Sequence, residues 1–196
     1  MLREWKISEA NIDSHWTTIM QWDSYKSRQY EGIIYGMKSQ SFNPYINLPQ
    51  STNEKIELAI SSETAPKENL IQNGWQLKDP LIVTKSPESY QKYIYESKAE
   101  WSIAKHGYVI SKSGWFSERS ACYLASAKPV LVQDTGFSQN IETGKGLHCF
   151  TTFEACLEGI KEINSHYQKH CNWAREIALA YFDSDKVLND LLQRIS

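Results

Sequence analysis

The 196-residue chain has a formal net charge of −2 and 41% hydrophobic residues, which is enough apolar material for the core of one ordinary domain. It carries no basic stripe interleaved with aromatic residues, which disfavours nucleic acid as a partner. Its longest apolar runs fall far short of the ~20 residues of a membrane span, and its N-terminus has no apolar signal core. We therefore expect a soluble, cytoplasmic protein.

Apolar periodicity and the positions of proline and glycine predict alternating strands and helices. In chain order, the predicted elements are a strand at 17–20, a helix at 36–48 that Pro44 disturbs or restarts, a strand at 56–60, a helix at 66–73, a strand at either 75–77 or 81–84, a helix at 87–96, a strand at 101–104, a helix at 118–127, and strands at 130–133 and 147–150. A capping box at Thr151 and Glu154 then opens a helical pattern that runs to 181, and a short last helix is expected at 186–192.

Strands that alternate with helices along a chain favour parallel strands joined by crossover helices. We therefore predict an α/β fold with a Rossmann-like open parallel sheet and helices on both faces. Residues 17–196 form this single domain, and the polar, poorly periodic residues 1–16 are linker-like. Such sheets bind ligands outside the carboxyl ends of the strands, so the loops at 21–26, 105–114 and 134–137 are the candidate site.

The start of the helix that follows Ser117 has the features of an anion site. Gly114 permits a positive φ, and Ser117 is a good N-cap. The free N–H groups and partial positive charge of the first turn suit a phosphate. Arg119 adds a planar fork of donors, Glu118 is able to accept from sugar hydroxyls, and Ser120 completes the polar cluster. The alternative is that Ser117 only caps the helix while Arg119 pairs with a neighbouring acid.

A second polar loop, Asp134-Thr135-Gly136, follows the next predicted strand. A right-handed crossover places this loop at the same edge of the sheet as Ser117. The two loops are therefore expected to converge on one ligand. The alternative for Asp134 is a simple turn former.

Two other loops at this edge supply candidate residues. Lys105 and His106 follow the strand at 101–104, where Lys105 is placed to neutralise a diphosphate and His106 to bond a sugar hydroxyl or ring carbonyl. Trp22 follows the first strand and is a candidate wall of the cleft. A solvated loop pair and a core tryptophan are the competing interpretations.

No metal site is expected from the sequence. His166 and His170 have the helical spacing of a ligand pair but no third ligand. The cysteines lack metal-finger spacing and are interpreted as inert, reduced thiols, at positions 122, 149, 156 and 171.

The longest distinctive stretch of the sequence is Ser113–Phe137, SGWFSERSACYLASAKPVLVQDTGF. It is similar to a run in a group of bacterial glycosyltransferase-like proteins, and most of the chain resembles one half of the GT-B glycosyltransferases. The likeness continues through 143–188, includes KAEWSIAKHGYV at 98–109, and extends more loosely over 22–60.

This resemblance implies a fold and an activity. A GT-B enzyme has two Rossmann-like domains that face each other across a cleft, and the second domain holds a nucleoside diphosphate sugar. The chain resembles that second domain alone, which implies donor binding at the residues named above, with no cofactor besides the substrate and no required metal. The acceptor side is then expected from a separately encoded domain or a homo-oligomer.

One departure from the GT-B pattern leaves the catalytic residues unassigned. Many retaining GT-B enzymes carry Glu-x7-Glu before a Pro-Val pair, and alignment on Pro129 places Gly114 and Cys122 at those two positions. Three interpretations remain open: the donor half of a glycosyltransferase, a non-catalytic nucleotide-sugar-binding module or truncated remnant, and a flavodoxin-like nucleotide binder of other purpose.

Overall fold

The computed structural model describes residues 2–195, so Met1 and Ser196, the outer ends of the two predicted segments, lie outside the described residues. Within this range six strands form one sheet: β1 (Trp16–Gln21), β4 (Ile56–Ser61), β5 (Gln76–Lys78), β6 (Ala99–Ser102), β7 (Val130–Gln133) and β8 (Leu147–Phe150). Two short antiparallel strands form a separate hairpin: β2 (Arg28–Tyr30) and β3 (Ile33–Tyr35).

The sheet has the strand order β5-β4-β1-β6-β7-β8, and every neighbouring pair is parallel. The prediction of a Rossmann-like open parallel sheet is confirmed. The chain builds outward from β1 through β4 to β5, and then returns to lay β6, β7 and β8 on the other side of β1. This reversal between β1 and β6 is a topological switch point, where a crevice opens at the carboxyl ends of the strands.

Helices cover both faces of the sheet, and its central strands are accordingly buried on both sides. The helices are α1 (Lys38–Phe42), α2 (Lys67–Gln72), α3 (Pro80–Val83), α4 (Pro87–Glu96), α5 (His106–Ile110), α6 (Glu118–Ala125), α7 (Phe153–Ser165), α8 (Tyr167–Tyr181) and α9 (Ser184–Ile195). Successive side chains of β7 point to opposite faces of the sheet, and each face has its own apolar cluster. Leu131 packs in one cluster, and Val130 and Val132 pack in the other. The first cluster includes residues of α1 and α7, and the second includes residues of α4, α6 and α8.

Two predicted elements are changed by local features. The helix predicted at 36–48 is α1, Lys38–Phe42, and it ends where a 3₁₀ turn, Asn43–Tyr45, begins, so Pro44 does disturb the predicted helix. Of the two alternatives for the third strand, the one at 75–77 is close to β5, whereas 81–84 begins as helix α3 because the Asp79 carboxylate accepts from the Leu81 N–H at 2.9 Å.

The long C-terminal helix and two short elements also depart from prediction. The chain leaves helical geometry at His166, which separates α7 from α8. Thr152, not Thr151, caps α7 by accepting from the Ala155 N–H at 3.2 Å. The β2–β3 hairpin and α5 were not predicted, because each is too short for a periodic pattern.

The described part of the linker-like segment is residues 2–16, of which Trp16 already belongs to β1, and the part before β1 contacts the domain. The Trp5 ring contacts Tyr90 and Tyr95 of α4 edge-on, with centroids 5.9 and 6.0 Å apart. The Lys128 ammonium donates to the Glu9 carbonyl at 2.7 Å. Among residues 2–195, no helix is both long and apolar enough to span a bilayer.

Candidate functional site

The two polar loops predicted to converge do lie side by side at the carboxyl edge of the sheet. The Gly114 N–H donates to the Thr135 carbonyl at 2.9 Å, and the Thr135 hydroxyl donates to the Trp115 carbonyl at 2.6 Å. Gly114 and Gly136 both adopt positive φ, at 74° and 93°. These contacts join the loop before α6 to the loop after β7.

Ser117 caps α6 as predicted, because its hydroxyl accepts from the Arg119 N–H at 3.3 Å. Ser120 is buried beneath it, whereas Glu118 is exposed. The pocket between Ser117, Ser120 and Thr135 has a volume of about 10 Å³, which is room for one water molecule. A diphosphate therefore does not fit between the two loops as they stand, and the open space lies beside them.

Arg119 turns into the protein instead of presenting a free fork of donors to the crevice. Its Nε donates to Glu100 at 2.7 Å, and its two terminal nitrogens donate to the Ile19 carbonyl at 2.6 Å and the Ser102 hydroxyl at 2.5 Å. This matches the alternative interpretation, in which Arg119 pairs with a neighbouring acid. The guanidinium ties α6 to the carboxyl ends of β1 and β6, the two strands at the switch point.

Lys38 is the main residue that sequence reasoning missed. It is the first residue of α1 and only 8% exposed. Burial, reinforced by the Arg119 cation, lowers the pKa of its ammonium from 10.5 to about 7. The described part of the chain offers this ammonium neither a hydrogen bond nor an ion pair. The sequence does place a lysine at the start of the helix predicted after the first strand, which is a feature of phosphate sites. It does not show that this lysine is buried.

Lys38, Arg119 and Glu100 together leave an excess of positive charge at the switch point. Glu100 is fully buried and has one oxygen without a hydrogen-bond partner among the described residues. Protonated Lys38, Arg119 and the nearby Lys105 supply three positive charges, and Glu100 and the nearby Glu118 supply two negative charges. An anion that reaches Lys38 would balance the cluster, and it would raise the pKa that burial lowers.

Asp134 acts as a turn former in the structure. One of its oxygens accepts from the Gly136 N–H at 2.9 Å, and the other accepts from the Ser138 hydroxyl at 2.9 Å. Gly136 begins a 3₁₀ turn, and a Cβ there would lie 3.1 Å from the Lys112 carbonyl oxygen. These contacts agree with the alternative interpretation of Asp134 as a turn former. Its carboxylate stabilises the loop to which it belongs.

The three remaining candidates have different surroundings. Lys105 lies over two aromatic rings, with its ammonium 4.3 Å from the Tyr25 centroid and 5.7 Å from the Tyr108 centroid. The His106 Nδ1 accepts from the Gly36 N–H at 3.4 Å, which ties the start of α5 to the segment before α1. Trp22 is 4% exposed and packs on Phe42, so it belongs to the core and does not wall the crevice.

An open cleft of about 680 Å³ lies beside Lys105. We call it the aromatic cleft. It is bounded by the loop after β1, the β2–β3 hairpin and α5, and its lining residues include Tyr25, Arg28, Tyr35, Met37, Lys105 and Tyr108. Of these side chains, only Lys105 was a candidate site residue from the sequence. The sequence pattern indicates the others only weakly, because the hairpin and α5 were not predicted.

Comparison with known proteins supports the fold. No protein-family model matches the chain, and no curated protein matches it. The chain is similar to the crystal structure of TarM, with a TM-score of 0.59 and 11% identity. It is also similar to a mutant of S. aureus TarM in complex with Fondaparinux, alpha-GlcNAc-glycerol and UDP, with a TM-score of 0.64 and 11% identity. Each match covers 96% of this chain and 36% of the TarM chain.

TarM is a GT-B glycosyltransferase, and this chain corresponds to little more than a third of it. The likeness extends over nearly the whole of the present chain and includes the parallel sheet that carries the switch point. The chain therefore has the fold of one half of a GT-B glycosyltransferase.

Proposed function

We propose that the chain is the donor-binding half of a glycosyltransferase and binds a nucleoside diphosphate sugar. The observation that carries this proposal is the buried excess of positive charge at the switch point. Burying the Lys38 ammonium without a partner is costly, and a bound diphosphate would supply the missing negative charge. A Rossmann-like sheet holds its ligands at this position.

The proposed contacts follow from the geometry of the edge. Lys38 and Lys105 approach the diphosphate, together with the free N–H groups of the first turn of α6. Glu118, which is exposed at that turn, accepts from sugar hydroxyls. In this proposal lysines, with no metal ion, stabilise the charge that develops on the leaving diphosphate. Because the pocket beside Ser117 holds only about 10 Å³, the two loops move apart in this proposal when the donor enters.

The similar structures support a nucleotide ligand and a missing second half. One of them is a complex that contains UDP. Because the chain covers 36% of TarM, we propose that acceptor binding and transfer need a further domain, encoded separately or supplied by another copy of the chain. Transfer of a hexose-type sugar is the proposed activity of that assembly.

A second candidate function is a non-catalytic nucleotide-sugar-binding module. The observation that favours it is the absence of a carboxylate at Gly114 and Cys122, where many retaining GT-B enzymes have glutamates. Burial, with help from the Glu100 charge, raises the pKa of the Cys122 thiol to about 12. That thiol is neutral at physiological pH, so it does not replace a glutamate carboxylate.

Calorimetric titration with UDP-glucose, GDP-mannose and ADP-glucose tests the proposal. We expect saturable binding of one of these donors, and a loss of at least tenfold in affinity for Lys38→Met. The matched control is Lys169→Met, which removes an exposed charge from α8 and is expected to bind like the parent chain. Circular dichroism of each variant checks that the fold is retained.

The outcomes separate the two functions. Binding with release of free sugar favours the enzyme, and binding without release favours the module. No binding of any donor by the folded parent chain would overturn both. If Lys38→Met and the parent chain bind the donor equally well, the buried charge cluster does not support the proposal.

A further inference from the structure

The last helix, α9, presents an exposed apolar face. Its large apolar residues recur at helical spacing and therefore share one side of the helix: Val187, Leu188, Leu191, Leu192 and Ile195. Each is between 50% and 73% exposed, and no residue along the described length of α9 is buried. We call these residues the α9 face. A contiguous apolar surface of this kind marks an interaction site.

An apolar groove of about 490 Å³ continues the α9 face toward α6. Its apolar lining is contributed by both sides of the groove: Phe116, Ala121, Tyr181, Phe182, Val187 and Leu188. The Phe116 ring stacks on the Phe182 ring with their centroids 5.3 Å apart, which gives the groove a firm wall. The groove therefore has room for several apolar side chains of a partner beside the α9 face.

The start of α9 is attached to the domain. The Asp183 carboxylate caps the helix by accepting from the Asp185 N–H at 3.0 Å. The Lys186 ammonium donates to the Leu179 carbonyl at 3.0 Å, and Arg3 pairs with Asp185 at 2.9 Å. These contacts set the position of the α9 face beside the groove.

The charges next to the α9 face suit a second copy of the chain. Asp183 and Arg194 lie about three helical turns apart, so they flank the face on the same side at opposite ends of α9. In an antiparallel pair of α9 helices related by a two-fold axis, this flank meets itself in reverse, and Arg194 of each copy approaches Asp183 of the other. Antiparallel helices also bring opposite ends of their dipoles together.

The present partner of Arg194 does not oppose this pairing. Arg194 contacts Asp190 of the same helix at 3.2 Å, and both side chains are exposed. An exposed ion pair of this kind contributes little to stability, so the guanidinium is able to contact a second carboxylate across an interface.

A lipid surface suits α9 less well. Helices that lie on membranes usually carry an excess of lysine and arginine on their polar side. α9 carries two acidic residues, Asp185 and Asp190, and two basic residues, Lys186 and Arg194, so its side-chain charges cancel. Such a helix gains no net attraction to an anionic bilayer.

The area of the α9 face is sufficient for a weak dimer. Pairing two copies covers five exposed apolar side chains on each, which removes on the order of 800 Å² of surface from water. The walls of the groove bring the total to about 1,000 Å², the lower end of the range for specific interfaces. We therefore expect an affinity in the micromolar range.

We propose that the α9 face and the adjoining groove dock a second copy of this chain, with the two α9 helices antiparallel and Arg194 of each copy beside Asp183 of the other. The inference does not rest on donor binding, because it gives no role to the residues that are proposed to hold the donor.

Sedimentation velocity of the whole chain over a range of concentrations tests the inference. We expect a reversible dimer with a dissociation constant of about 1–50 µM. Leu188→Glu and Leu191→Glu each place a charge in the interface and should weaken the dimer at least about thirtyfold. The matched control is Leu81→Glu, at an exposed leucine of α3, which should leave the dissociation constant unchanged. Circular dichroism checks that each variant retains its helix content.

A charge reversal tests the arrangement of the two helices. Arg194→Glu places a carboxylate beside Asp183 of the other copy and should weaken the dimer about threefold to tenfold. Lys169→Glu, the same charge change at an exposed position of α8, should have no effect.

Three results would overturn the inference. A parent chain that stays monomeric at about 200 µM would exclude the dimer, and its binding to phosphatidylglycerol vesicles would assign the face to a lipid surface. A dimer that both leucine variants leave intact would place the interface elsewhere. An Arg194→Glu dimer as tight as the parent would refute the antiparallel arrangement. None of these results depends on UDP-glucose binding, so the proposed function is tested separately.

Discussion

The buried ammonium of Lys38 makes a sharp prediction about stability. The unfolded chain holds this lysine with the ordinary pKa of 10.5, whereas burial and the Arg119 cation lower it to about 7 in the fold. Between these two values the unfolded state binds more protons, so the folded state gains stability as the pH rises. The difference corresponds to a penalty of about 4 kcal/mol at pH 7, falling to about 2 kcal/mol at pH 9.

Lys38→Met removes this penalty, because methionine keeps most of the apolar stem without the charge. We expect the variant to be more stable than the parent at pH 7 by about 2–4 kcal/mol, and the gain to shrink by about 2 kcal/mol at pH 9. Urea unfolding at both pH values, followed by circular dichroism, gives the free energies. The control Lys169→Met, at an exposed position, should change them by no more than about 0.5 kcal/mol.

The reasoning fails if Lys38→Met is less stable than the parent at both pH values. It also fails if the stability difference between the two proteins does not depend on pH. Either result would mean that the ammonium is well solvated in the folded state. The excess charge at the switch point would then no longer indicate an anion site.

Three further predictions concern the same edge of the sheet. Arg119→Met leaves the buried Glu100 carboxylate unpaired and should lower the free energy of unfolding by about 3–5 kcal/mol in a urea titration; a loss below about 1 kcal/mol would contradict the buried pair. Gly136→Ala should lower the melting temperature more than Gly114→Ala, since both have positive φ but only Gly136 has a backbone carbonyl 3.1 Å from the added Cβ; equal losses would contradict this. The affinity for UDP-glucose should fall up to tenfold per pH unit above 7 in calorimetry as Lys38, with a pKa of about 7, loses its proton; a flat profile would rule out that contact.

The sequence by itself determined the class of fold and several of its elements. The strands predicted at 130–133 and 147–150 and the helix at 87–96 coincide with β7, β8 and α4. Their patterns are local, since apolar runs, proline at a first helical turn and serine caps act within a few residues. The approach of the loop that ends at Ser117 and the loop that begins at Asp134 also follows from topology, because parallel strands bring their carboxyl ends to one edge.

The tertiary structure decided which polar residues are buried and which partners they have. Arg119 pairs with Glu100, 19 residues away, and donates to the carbonyl of Ile19, 100 residues away. The aromatic cleft likewise joins the β2–β3 hairpin to α5, two elements distant in sequence. Lys38 shows the physical reason most clearly. Its pKa is lowered mainly because residues from several elements pack around its ammonium and exclude water. A local sequence pattern does not contain information about that burial.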